Sequence, residues 1–244
     1  MLSFDRIRIT ASALLLAASP LALAQVANVE VRRLPPVPVV DATHELVLHL
    51  NTFRGTRWQV AEIMSAYAQA GRLLGQCGIA FASAELRVLE APRRFHYYQT
   101  PVSRELVRAM QVDRPAVFFV EDTRNNPAFD AEAIGRANAF GRPELVNTVW
   151  VAHGARDLPY ALAHELVHVL ADSGGHSSER GNLMQAETSP QNSRLNPAQC
   201  AMVRSRGEAN GLLRRRSPSA RASPPTNRGT PYTVSLRNLP SPDN

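Results

Sequence analysis

The segment DLPYALAHELVHVLADSG, residues 157–174, constrains this chain more than any other part of its 244 residues. Asp157 stands where an N-cap belongs, and Pro159 follows at the start of the first turn. The pattern predicts a helix through about Ala171 that breaks at Gly174-Gly175. Tyr160 to Ala163, Leu166, Val167, Val169 and Leu170 make it apolar nearly all round. Two histidines and a glutamate in such a helix are costly to bury unless something pairs with them.

Their spacing suggests the partner. Residues four apart lie on one face of a helix, so His164 and His168 can present ring nitrogens to a single ion. Glu165 sits beside the first histidine and can reach a water on that ion without coordinating it. One catalytic zinc ion is the expected cofactor. It needs no redox role, brings the pKa of its water toward neutrality and polarises a carbonyl. HELVLHLN (44–51) also begins His-Glu, but His49 comes one residue too late and the segment alternates like a strand.

Two imidazoles need a third ligand. Asp172 continues the four-residue series, but an unbroken helix carries its Cα about 12 Å along the axis from that of His164. Zinc–ligand bonds near 2 Å do not span that reach, which leaves Asp172 as an exposed or supporting carboxylate. His176 follows the Gly174-Gly175 break, where the chain can turn back, and is the chosen third ligand. Glu179 and Glu187 are the competing ligands.

HELVH, GGH and NLM together resemble the metzincin clan of zinc peptidases, in which an extended histidine motif is followed by a methionine turn. The resemblance covers about 44–205, with its specific motifs in 164–184. It implies His164, His168 and His176 as ligands, Glu165 as general base and acid, and Met184 as the turn methionine beneath the metal. It also implies an edge strand above the metal that binds substrate backbone by strand addition, for which AIGRANAF (133–140) is the candidate. The departures are Ala171, where the clan has glycine, and a third histidine two residues late.

The rest of the chain reads as strand (44–51), helix (56–78), strand (79–91), a short helix opened by Ser103 (103–112), and strands at 116–123 and 147–154. The active-site helix comes next, and then a last helix, 196–209, with Asn196 as N-cap and Pro197 at its first position. The expected fold class is α/β and metzincin-like: one mixed twisted sheet, two long helices and a small C-terminal helical part.

Residues 1–24 read as a Sec-type signal, with a basic start, a short apolar run and cleavage after Ala24. Residues 25–43 form an extended lead-in, stiff over LPPVPVV, and 44–211 the peptidase domain. Residues 212–244 make an Arg/Pro/Ser-rich tail expected to be disordered. The chain contains no Lys. Six arginines against Asp243 give the tail a net charge of +5, out of +6 for the whole chain. The signal contributes Arg6 and Arg8 against Asp5, so the middle is near neutral and does not read as a nucleic-acid surface.

Export makes a disulfide between Cys77 and Cys200 the expected state, tying the first long helix to the last one. The reading is a secreted or periplasmic, monomeric zinc metallopeptidase acting on a peptide or protein, with no transmembrane anchor after cleavage. The rivals are a zinc amidase acting on cell-wall peptides, a non-catalytic exported zinc-binding domain, and an envelope-binding protein acting through its tail.

Overall fold

The computed structural model describes residues 26–217. In chain order these form β1 (Ala27–Leu34), β2 (His44–Phe53), α1 (Val60–Gly75), β3 (Ile79–Glu90), β4 (Tyr97–Tyr98) and α2 (Thr100–Met110). There follow β5 (Ala116–Val120), β6 (Asp122–Thr123), β7 (Ala131–Ile134), β8 (Thr148–Ala152), α3 (Leu158–Ala171), α4 (Pro197–Ala209) and β9 (Leu213–Arg215).

Seven strands make one mixed sheet in the order β1-β3-β2-β5-β8-β7, with β9 also paired to β2. The inner strands β3, β2, β5 and β8 are parallel, while β1 and β7 run antiparallel at the two edges. A parallel neighbour requires a crossover, and α1 supplies it between β2 and β3. Alternation in β2 sends Leu46, Leu48 and Leu50 to the helical side, where they pack with Ile63 and Leu74 of α1 and with Leu162 and Leu166 of α3. A second core of Phe53, Phe95, Tyr98, Leu106, Phe118 and Trp150 fills the other side, with the Phe118 and Trp150 rings stacked at 4.3 Å. Cover on both faces explains why β5 reads as an unbroken apolar run. β4 and β6 form a separate parallel pair.

The expected mixed sheet and two long helices are present, and the disulfide joins Cys77, just past α1, to Cys200 in α4. Several boundaries differ from the sequence expectation. The lead-in contains β1, which pairs with β3 along its length. Val37 then donates its N–H to the Phe81 carbonyl at 2.9 Å. The short helix begins at Thr100, and Ser103 lies inside it with its hydroxyl accepting the Gln99 N–H at 3.2 Å. The 116–123 strand divides into β5 and β6 around Glu121.

The start of the tail belongs to the domain. Leu212 and Leu213 are buried, β9 pairs with the first residues of β2, and Arg214 and Arg216 reach Glu45 while Arg215 reaches Glu208. The signal segment and the tail beyond residue 217 lie outside the described residues. Among the described residues no helix is long and apolar enough to cross a membrane.

Candidate metal centre

Helix α3 carries His164, Glu165 and His168, all three buried. Asp157 is its N-cap as expected, in the left-handed region at φ 53, but its side chain makes no capping bond. The turn that ends the helix is made at Asp172 (φ 49), earlier than the expected Gly174-Gly175 pair; neither glycine has positive φ. Asp172 donates its N–H to the Val169 carbonyl at 3.3 Å and Ser173 to the His168 carbonyl at 3.1 Å, a Schellman-type closure. An aspartate accepts the left-handed conformation more readily than most residues. Here its carboxylate is also used, because Oδ1 accepts the Ala137 N–H at 2.9 Å. Asp172 is a structural strap, in keeping with its exclusion as a ligand.

Beyond that turn the chain brings His176 back over the helix. One ring nitrogen from each of His164, His168 and His176 lies within 4.8 Å of the others. Ring centroids are 4.6 Å apart for His164–His168, 5.3 Å for His164–His176 and 5.0 Å for His168–His176. His176 is the exposed member of the cluster. The rival ligands stand apart from it. Glu179 is engaged by the amides of Asn182 and Asn196 at 3.1 and 3.3 Å, and Glu187 lies on the wall of the adjoining cavity.

The hydrogen bonds fix what the rings can bind. His164 Nδ1 lies 2.8 Å from the Leu183 carbonyl, and His168 Nδ1 lies 2.6 Å from the Ser173 carbonyl. A carbonyl only accepts, so each Nδ1 carries the proton and each neutral ring keeps a bare Nε2. Those two Nε2 atoms face one another at 2.9 Å. Two lone pairs at that distance repel unless a proton or cation lies between them. Burial, the first cause in both cases, lowers both histidine pKa values, that of His168 to about 4, which disfavours the proton. Three clustered imidazoles, two of them with the second nitrogen engaged by a carbonyl, fit a zinc-type ion.

The two carbonyl partners were not foreseen in the sequence. They are backbone atoms, so residue type carries no trace of them; only the general need of a ligating imidazole for an acceptor points to their existence. Leu183 and Met184 are both buried in the main core. Met184 donates its N–H to Asn182 Oδ1 at 2.9 Å, and its carbonyl accepts the Ser177 N–H at 2.7 Å. The NLM segment therefore meets the site through the Leu183 carbonyl, with Met184 packed alongside.

A cavity of about 510 Å³ opens beside the histidines, lined among others by Glu132, Ala133, Arg156, Glu165, Asp172 and Glu187. Glu165 is only 8% exposed. Burial first, and then the Glu132 charge, push its carboxyl up to about 8, against a hydrogen bond from the Ala133 backbone. A bound cation would draw that value down again. Glu132 itself pairs with Arg142 at 2.9 Å.

Ala133 lies in β7, the outermost strand on this side of the sheet, and its carbonyl accepts Asn138 Nδ2 at 2.9 Å. The predicted 133–140 strand is thus shorter and earlier, over Ala131–Ile134, and the residues after it turn back toward Asp172.

No protein-family profile matches the chain, and no curated protein matches it. Among solved structures, metalloproteinase-II from Bacteroides fragilis aligns at 16% identity and a TM-score of 0.47, over 78% of this chain and 59% of that one. The chain thus spans about three-fifths of the length of that structure.

Proposed function

We propose that this chain is an exported zinc metallopeptidase that hydrolyses peptide bonds, with His164, His168 and His176 as ligands and Glu165 as general base and acid. The observation that carries this reading is the pair of bare Nε2 atoms facing at 2.9 Å, with a buried glutamate next in sequence opening on the same cavity. A site serving stability alone has no need of Glu165.

Zinc bound there would supply Lewis acidity toward a water and toward the substrate carbonyl. Glu165 takes a proton from the water as its oxygen bonds to the carbonyl carbon. It returns that proton to the amine nitrogen as the carbon–nitrogen bond breaks. The apolar helix around Glu165 excludes competing water and keeps the carboxyl responsive to nearby charge. The outer strand β7, with Ala133 turned to its open side, offers backbone groups beside which an extended peptide can lie. Ala133 is already engaged, by Asn138 on its carbonyl and by Glu165 on its N–H, so the substrate takes the remaining positions.

A near-neutral middle favours a peptide or protein substrate over a polyanion, and the single described domain functions as a monomer. The Cys77–Cys200 bridge supports secretion or the periplasm.

The test is hydrolysis of a peptide library by purified protein, with and without chelator, alongside Glu165→Gln. The variant should keep its zinc and its fold while losing about 10²–10⁴-fold in rate. Chelator-resistant cleavage, or undiminished turnover by Glu165→Gln, would overturn the reading.

A further inference from the structure

The Leu183 carbonyl that accepts His164 Nδ1 lies in a loop, and its placement depends on one buried amide. Asn182, 2% exposed, donates Nδ2 to Gln199 Oε1 at 2.9 Å and accepts Gln199 Nε2 on Oδ1 at 3.1 Å, a closed two-bond pair. The same Nδ2 reaches Glu179 Oε2 at 3.1 Å, and the same Oδ1 takes the Met184 N–H at 2.9 Å. Asn182 thus holds the Met184 N–H, which belongs to the same peptide unit as the Leu183 carbonyl. Leu183 is fixed from the other direction by its N–H on the Arg194 carbonyl at 2.7 Å.

Gln199 is itself anchored. It is the N3 residue of α4 in a full capping box with Asn196: Gln199 N–H donates to Asn196 Oδ1, and Asn196 N–H donates to Gln199 Oε1, each at 2.9 Å. The next residue, Cys200, is bonded to Cys77 at the end of α1. A chain of fixed contacts therefore runs from α1 through the disulfide and the α4 cap to the amide pair, and ends at the His164 ring.

We propose that Asn182 and Gln199 act as a positioning pair that sets the metal affinity of the histidine cluster, by holding the Leu183 carbonyl where it fixes the tautomer and orientation of His164. The proposal rests on the metal reading of the three histidines and not on peptidase activity. Neither residue touches a ligand directly. Loss of such a supporting contact ordinarily costs about 10–100-fold in metal affinity.

The experiment measures Zn²⁺ affinity by chelator competition for wild type, Asn182→Ala, Gln199→Ala and the double variant. The His164 tautomer is read by nitrogen-15 NMR in the metal-free proteins. Each single variant should weaken zinc by about 10–100-fold and lose the uniform Nδ1–H tautomer at His164. The double variant should be no weaker than the weaker single. Glu144→Gln, which loses its Arg104 and Arg108 contacts and touches neither the histidines nor the amide pair, should leave both readouts unchanged. Gln199→Glu keeps the acceptor for Asn196 and serves if the alanine variants do not fold; it should fall between wild type and Gln199→Ala. Variants within about twofold of wild type with an unchanged His164 tautomer would overturn the positioning role alone, since the expected loss starts near tenfold. Wild-type protein that binds no zinc would overturn the metal reading, and this proposal with it.

Discussion

Asp172 Oδ1 accepts the backbone N–H of Ala137 at 2.9 Å, tying the end of the helix that carries His164 and His168 to the segment that leaves the outer strand β7. The residue that continues the four-residue series after His164 and His168 is thus a strap between two walls of the cavity. Asp172→Ala should keep zinc but lose about 1–2 kcal/mol of stability, from the lost bond and the left-handed backbone. Asp172→Gly relieves the backbone while losing the same bond, so it should be less destabilised than alanine. Urea titration together with zinc analysis separates the two contributions. Loss of zinc in Asp172→Asn would contradict the assignment.

His176 is the exposed member of the cluster, carried by the loop after α3 rather than by the helix. His176→Ala should fold but lose most of its zinc affinity. Wild type should contain about one zinc per chain if the site is mononuclear. With free zinc at about a thousand times its dissociation constant, the metal adds about 4 kcal/mol of stability. Chelation should therefore lower the wild-type melting temperature, with a much smaller effect on His176→Ala.

Gly71, in α1, lies against the lead-in. A Cβ built there would sit 2.9 Å from Val37 Cβ and 3.0 Å from Phe81 Cδ2. Alanine in a helix gains about 1 kcal/mol over glycine, but overpacking a buried contact costs about 1–3 kcal/mol. Both neighbours are buried in the main core, so the second effect should win, and Gly71→Ala should be destabilised by about 1 kcal/mol in chemical denaturation.

The Cys77–Cys200 bridge closes a sequence separation of 123 residues. Restricting the unfolded chain over that length contributes at most about 4–5 kcal/mol in the loop-entropy account. Reduction, or Cys77→Ser with Cys200→Ser, should move the denaturation midpoint down accordingly. Peptide mapping without reductant that recovers free thiols would remove the effect altogether.

Glu144 is held down to about 2, first by the Arg104 hydrogen bond, then by its own backbone N–H and Arg108. Arg104 Nε and Arg108 Nη2 each donate to it at 2.7 Å. A depressed carboxyl pKa stabilises the fold at pH above the ordinary value of 4.5, and that stabilisation is lost as pH falls toward 2. Glu144→Gln should therefore be less stable than wild type at neutral pH, and the difference should shrink between those two values in an acid titration of the denaturation midpoint.

Much of the site follows from local order. The i, i+4 spacing of His164 and His168 needs only a helix, and the apolar run from Tyr160 to Leu170 makes that helix a buried one. Asn196 and Pro197 start α4 where expected, because a cap is a contact between residues three apart. Strands covered on one face or both, such as β2 and β5, declare themselves through alternating or continuous apolar residues.

Edge strands do not declare themselves. Most of β1 is exposed, and β9 is three residues long; each exists because a neighbour offers a row of backbone groups. The same holds at the histidine cluster. Sequence alone supplied the two helical histidines, the adjacent glutamate and the choice of His176 over an aspartate that distance excludes. Tertiary structure decided that the turn is made by Asp172, that His176 returns to the helix, and that the Leu183 and Ser173 carbonyls hold the rings. Helical spacing is set by bonds four residues long, whereas the path of a loop and the direction of its carbonyls are set by whatever the whole fold packs beside them.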